Sequence, residues 1–188
     1  MYTFYIDTHS DNIVLGLYKD NKVLKFIEFK TTNSHSKHIM PLLDNLLKDQ
    51  KLELNDINEV IVVIGPGSFT GIRLGVTIAK TIAMALSIPI YPITSLNAKS
   101  LSIEFEKTSW FLVEEKNGYY ACSFTPNKEL IANYLYIPTK DIENFLAVHH
   151  TIESKIDYQK IIDNKSKLKA VHYHAINPLY IKKIEVQS

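Results

Sequence analysis

Residues 59–86 read "EVIVVIGPGSFTGIRLGVTIAKTIAMAL". The first six are apolar and β-branched apart from Glu59, the pattern of a strand covered on both faces. Pro66 and four glycines, Gly65, Gly67, Gly71 and Gly75, follow. Apolar residues at helical spacing then predict a helix from about Ile72 to Leu86. A glycine turn between a buried strand and a helix suits an anion, because helix-start N–H groups lack partners and the helix dipole is positive there. Two phosphate motifs fail on spacing. A P-loop needs Lys then Ser or Thr after its last glycine, whereas Gly71 is followed by Ile72 and Arg73; the dinucleotide fingerprint needs tighter glycines and a later acid. What remains is a turn in which Gly67 and Gly71 permit close backbone approach, with Ser68, Thr70 and Arg73 adding more polar groups than a turn requires.

Upstream, "YTFYI", "NIVLGLY" and "VLKFIEF" predict three strands in a meander, the second and third joined at "KDNK". Next, "SHSKHIMPLLDNLLKD" puts Ile39, Leu42, Leu43, Leu46 and Leu47 at helical spacing, with Ser34 or Ser36 as cap and Pro41 in the first turn or at a kink. Downstream come a short strand in "IPIYPI", a helix in "LNAKSLSIEF", two strands in "WFLVEEKNGYYACSF", a third in "ELIANYLYI" and a helix in "TKDIENFLAV". This second half echoes the first, as a duplicated fold would. A strand-like pattern resumes in "HYHAINPLYIKKIEV".

The bulk composition bounds the function. A chain of 188 residues with net charge +1 can bury a core and is not drawn to polyanions by its charge. Cys122 stands alone, which excludes an internal disulfide and fits a reducing, cytosolic setting. The amino terminus has no signal-peptide pattern, and "TIAMALSIPIYPITSL" is interrupted by prolines, so no membrane span is expected. His35 and His38, His149 and His150, and His172 and His174 each lack the further ligand a metal site needs. Ser68 is not in a nucleophile elbow, and Asp7 at a strand end reads as a turn former; no catalytic residue is named.

The stretches "YIDTHSDN", "HSKHIMPLLDNLL" and "VIVVIGPGSFTGIRLGVTIAKTIAMALSIPIYPITSLNA" closely resemble the TsaB family of the bacterial machinery that makes threonylcarbamoyladenosine in tRNA, and "NPLYIKK" resembles that family's ending. The resemblance implies an α/β, actin-like or Hsp70-like ATPase fold of two ribonuclease-H-like lobes. The first lobe would span 1–97, and a reduced second lobe 98–188. It further implies a non-catalytic subunit that dimerises with the catalytic TsaD and helps recruit the ATPase TsaE, meeting tRNA through the complex; for the chain alone, the sequence leaves monomer and homodimer both open. ATP and metal would then belong to the partner subunits, with no cofactor held by this chain by itself.

Nucleotide-binding members of that superfamily carry Asp-x-Gly-Thr/Ser after the first strand, where this chain has Asp7-Thr8-His9-Ser10. A side chain at His9 obstructs close approach of a phosphate. Glu114-Glu115-Lys116 stands where the family has Asp-Ala-Arg, and Thr81 replaces a glycine. The acids put negative charge where phosphate needs donors. Two readings stand: an assembly subunit, or a self-sufficient ATPase or phosphotransferase in which Asp7 holds magnesium. For the first, the partner surface is expected on the two first-lobe helices. The apolar arc carrying Ile39, Met40, Leu42, Leu43, Leu46 and Leu47 covers about 160°, and Gly75, Ala79 and Ala83 form a small-residue stripe on the second helix, more apolar surface than one core contact uses.

Overall fold

A computed structural model describes residues 1–31 and 35–181. Strands β1 (Tyr2–Asp7), β2 (Asn12–Lys19) and β3 (Lys22–Lys30) form the expected meander, with Asp20 and Asn21 at positive φ in the connecting turn. Helix α1 (His35–Asp49), strand β4 (Ile57–Val63), helix α2 (Phe69–Leu86), strand β5 (Ile90–Ile93) and helix α3 (Ser95–Leu101) follow. The sheet runs β3-β2-β1-β4-β5, antiparallel through the meander and parallel from β1 to β5. This is a ribonuclease-H-like lobe, and the chain has the actin-like ATPase type of α/β fold.

Period-two alternation decides what lies on each face. Phe4, Ile6, Val60 and Val62 point into a core with α1 and α2, whereas Tyr5, Ile61 and Val63 point to the opposite face, against α3 and a later helix. Glu59, buried in β4, accepts from the Thr3 hydroxyl at 2.5 Å and pairs with Lys165.

The second lobe contains β6 (Ser109–Glu115), β7 (Gly118–Phe124) and β8 (Leu135–Pro138), an antiparallel sheet over its own cluster of Leu96, Phe111, Tyr120, Cys122 and Phe124. The expected third strand is confined to these last four residues, with Leu130 making a single bridge to Phe124. Helix α4 (Ile142–Val148) lies outside this sheet, where Trp110 meets Phe145 and His149.

After α4 the chain returns to the first lobe. Helix α5 (Tyr158–Asp163) buries Ile161 and Ile162 beneath the first sheet, and the Tyr18 hydroxyl donates to the Tyr158 carbonyl at 2.7 Å. Val171 bridges Ile90 at the β5 edge, and the Leu179 N–H donates to the Ile64 carbonyl at 2.8 Å. Residues 158–179, placed with the second lobe by the sequence, therefore make these contacts with the first. The strand expected in 172–186 is absent over its described part, where a turn at Tyr173–Ala175 leads into an extended strap along α2. Ser34, and the residues of that pattern from Lys182 onward, lie outside the described residues.

Candidate functional site

The glycine turn follows β4, and α2 begins at Phe69, three residues before the expected start. Ser68 is its cap: the hydroxyl accepts from the Gly71 N–H at 3.3 Å, which draws Phe69, Thr70 and Gly71 into the first turn. Gly65 and Gly67 have φ of 108° and 151°, where a side chain is strained.

The turn's close neighbour is the β1–β2 connection of the same chain. A Cβ on Gly67 would lie 2.2 Å from the His9 carbonyl oxygen, on Gly71 2.1 Å from the Thr8 carbonyl oxygen, and on Gly75 2.3 Å from Thr8 Oγ1. The contact is bonded as well as close. Ser68 N–H donates to the His9 carbonyl at 2.7 Å, and the Thr8 hydroxyl donates to the Gly71 carbonyl at 2.7 Å. Beneath it, the Ser95 N–H and hydroxyl donate to the Gly65 and Pro66 carbonyls at 2.9 and 2.8 Å. A carbonyl oxygen thus occupies a donor that an anion would use. Thr8 carries this junction and is missed by motif reasoning; the signal was Gly71 and Gly75, one helical turn apart on the same face.

Asp7 is 2% exposed, and its carboxylate is engaged: Oδ1 accepts the His9 N–H at 3.0 Å and lies 2.6 Å from His9 Nδ1, and Oδ2 accepts from the Tyr5 hydroxyl at 3.4 Å. Burial first, and then the nearby Asp7 charge, push the Tyr5 phenol well above its ordinary value. His9, Ser68 and Asp11 open onto a cleft of about 580 Å³ whose far wall is Glu114, Glu115 and Lys116, with Lys99 at its side. The acidic pair stands across the cleft from the turn, as the sequence implied.

Arg73 is exposed and already engaged. Its guanidinium lies 3.6 Å from the centre of the Phe69 ring, and its Nε–H donates to the Tyr180 hydroxyl at 2.7 Å. Phe69 and Tyr180 are themselves 5.4 Å apart and about half exposed. Thr70 is exposed beside them.

The expected partner face needs correction. Ile39, Leu43, Leu46 and Leu47 are buried in the first-lobe core because α1 faces both β2 and α2, and Gly75, Ala79 and Ala83 are buried because their stripe faces the sheet and Thr8. Of that set only Leu42 is half-exposed. Among the apolar side chains left half-buried or exposed are Leu74, Ile78, Ala85 and Met84 on α2 and Met40 on α1. By length and composition α2 could cross a membrane, but Ile72, Val76, Ala79 and Ala83 put one face in the core.

The histidine pairs have local partners: His35 Nε2 lies 2.9 Å from the Ser10 carbonyl, His38 packs on Phe29, His149 stacks on Phe145, and His172 stacks on His174. Among the described residues, no group of three His, Cys, Asp or Glu side chains is placed to hold a metal.

Comparison with known proteins adds relatives to this geometry. The family model for TsaD, tRNA N6-adenosine threonylcarbamoyltransferase, matches residues 29–113. The tRNA threonylcarbamoyladenosine biosynthesis protein TsaB of Buchnera aphidicola subsp. Schizaphis graminum is 32% identical over 87% of this chain and 72% of its own length. TsaB of Bacillus subtilis is 39% identical over 48% of this chain, and the match spans only 40% of that relative. Among solved structures, YeaZ from Pseudomonas aeruginosa has a TM-score of 0.76 at 13% identity, covering 95% of this chain and 100% of that one, a likeness of fold.

Proposed function

The chain belongs to the TsaB family of tRNA threonylcarbamoyladenosine biosynthesis proteins, and on that premise we propose that it is a non-catalytic cytosolic subunit that pairs with a TsaD-like enzyme for threonylcarbamoyl transfer to tRNA. The observation that carries this reading is the filled glycine turn. The His9 carbonyl takes the Ser68 N–H, so the first lobe offers an anion a turn already bonded to its own chain. Asp7 is likewise engaged by His9, which speaks against a self-sufficient ATPase using it to hold magnesium.

The partner meets the outward edges of α1 and α2: Met40 and Leu42 on the first, and Leu74, Ile78, Ala85 and Met84 on the second. Apolar side chains left half-buried or exposed along the edges of two touching helices suit an interaction site, and an interface of roughly 1,200–2,000 Å² in total would cover them. A TsaE-like ATPase joins the paired subunits, and tRNA is met through the complex. The test is co-purification with the TsaD homologue from the same source, then a tRNA modification assay omitting each subunit, with calorimetry of this chain alone against magnesium and ATP. Co-purification, loss of modification on omission and no micromolar ATP binding are expected. ATP bound by the isolated chain at a micromolar dissociation constant, worth roughly 8 kcal/mol, refutes the non-catalytic reading.

A further inference from the structure

Lys99, on α3, forms part of the wall between two cavities. On one side is the interlobe cleft of about 580 Å³; on the other is a cavity of about 450 Å³ between β6 and α4, lined by Leu112, Ile142, Leu146 and Ile152. Its side chain is half-buried, and Nζ donates to the Leu112 carbonyl at 2.8 Å. That bond holds the amine at the wall that the two cavities share. The geometry points to Lys99 as a carbonyl-reactive amine, a Schiff-base site for short, uncharged aliphatic aldehydes entering the cavity between β6 and α4.

The chemistry is that of an amine held out of water. Desolvation lowers the Lys99 ammonium below the ordinary lysine value, and the Glu153 carboxylate opposes that shift. More of the amine is therefore neutral near neutral pH than in an exposed lysine. On the cleft side, the charged groups facing it are His9 and Asp11 from the β1–β2 connection and Glu114, Glu115 and Lys116 from the β6–β7 hairpin. In the other cavity they are Glu114 and Glu153, with the Tyr119 phenol. Two carboxylates repel an anionic aldehyde there, whereas the leucine and isoleucine side chains accept an apolar tail. The Nζ lone pair forms the C–N bond to the carbonyl carbon, whose oxygen takes up a proton. The carbinolamine then loses that oxygen as water and one N–H proton to solvent, leaving C=N.

The test is reductive trapping of the full chain with butanal and cyanoborohydride, read as alkylation of each lysine by peptide mass spectrometry. At about pH 7, Lys99 should be modified at least about threefold faster than the exposed Lys37 and Lys140. Glu153→Gln removes the charge that holds the proton and should raise the Lys99 rate further, whereas glyoxylate, an anionic aldehyde, should modify Lys99 more slowly than butanal does. Lys99→Arg should remove the signal from the α3 peptide. Any one of three results overturns the assignment: Lys99 modified no faster than Lys37 and Lys140, glyoxylate as effective there as butanal, or no acceleration in a folded Glu153→Gln variant.

Discussion

Replacing Gly75 with alanine sets two known effects against each other. Alanine is favoured over glycine inside a helix by about 1 kcal/mol, so on propensity alone the variant gains stability. Here the new Cβ would sit 2.3 Å from Thr8 Oγ1, closer than nonbonded atoms tolerate. The hydroxyl can rotate away, but it then abandons the Gly71 carbonyl in a fully buried position, which costs about 1–3 kcal/mol. The net expectation for Gly75→Ala is a loss of about 1 kcal/mol. In a Thr8→Ala background the oxygen is gone, the nearest remaining Thr8 atom, Cβ, is at an ordinary 3.5 Å, and the same substitution should gain about 1 kcal/mol. Gly71→Ala behaves differently. Its Cβ meets the Thr8 backbone oxygen at 2.1 Å, which no side-chain change relieves, so about 2 kcal/mol should be lost in both backgrounds. Urea unfolding of the five variants measures this as a double-mutant cycle. If Gly75→Ala stabilises the wild-type chain, or its effect is the same with and without the Thr8 hydroxyl, the glycines do not exist for this contact.

Two further predictions concern the returning carboxy-terminal segment. Burial is the main cause that raises the Tyr5, Tyr18 and Tyr158 phenols above the ordinary tyrosine value of about 10, so the native state resists ionisation that the unfolded chain undergoes. Their contribution is intact below pH 10 and is lost above it, by about 1.4 kcal/mol per group per pH unit, so tyrosinate absorbance should appear together with loss of circular dichroism and Tyr18→Phe should make the decline shallower; these tyrosines ionising in a still-folded chain would refute it. Arg73→Ala removes the stacking on Phe69 and the bond to Tyr180 at an exposed site, and should cost no more than about 1 kcal/mol globally while speeding hydrogen exchange at the Leu179 N–H; unchanged protection at Leu179 would show that Arg73 does not hold the strap.

The first sheet was legible because each of its strands carries its own evidence. Phe4 and Ile6 alternate with Tyr5, and β4 is apolar on both faces because helices cover both. The start of α2 was misread because Phe69-Thr70-Gly71 looks like turn sequence, although Ser68 two residues after Pro66 was an available cap. The partner residues were misplaced for a different reason. A wide apolar arc counts how much of a helix avoids water but not how many neighbours share it, and α1 divides its arc between the sheet and α2. The path after α4 had little local signal. It is set by pairs far apart in sequence, Tyr18 with Tyr158 and Glu59 with Lys165, and short segments without periodicity do not announce such partners.

The same turn bears on whether a likeness to nucleotide-binding folds carries nucleotide binding with it. For a phosphate to use the Ser68 N–H, the His9 carbonyl must leave it, and for a cation to use Asp7 Oδ1, that oxygen must give up the His9 N–H and ring. Each buried group left unpaired costs about 1–3 kcal/mol, and every 1.4 kcal/mol is about tenfold in affinity. Gly67 cannot relieve the crowding, since the His9 carbonyl already occupies the space that its missing side chain leaves. A ligand confined to this chain would therefore begin from a deficit of one to several orders of magnitude, whereas one held mainly by a second subunit need not open the turn at all. That difference gives a decisive variant. His9→Gly frees Asp7 of the imidazole and lets the loop backbone relax, so if the filled turn is what excludes phosphate, this substitution should raise the affinity of the isolated chain for magnesium and ATP. Equal affinity before and after, in a chain that remains folded, would place the obstacle elsewhere, with the Glu114 and Glu115 wall across the cleft as the remaining source of repulsion.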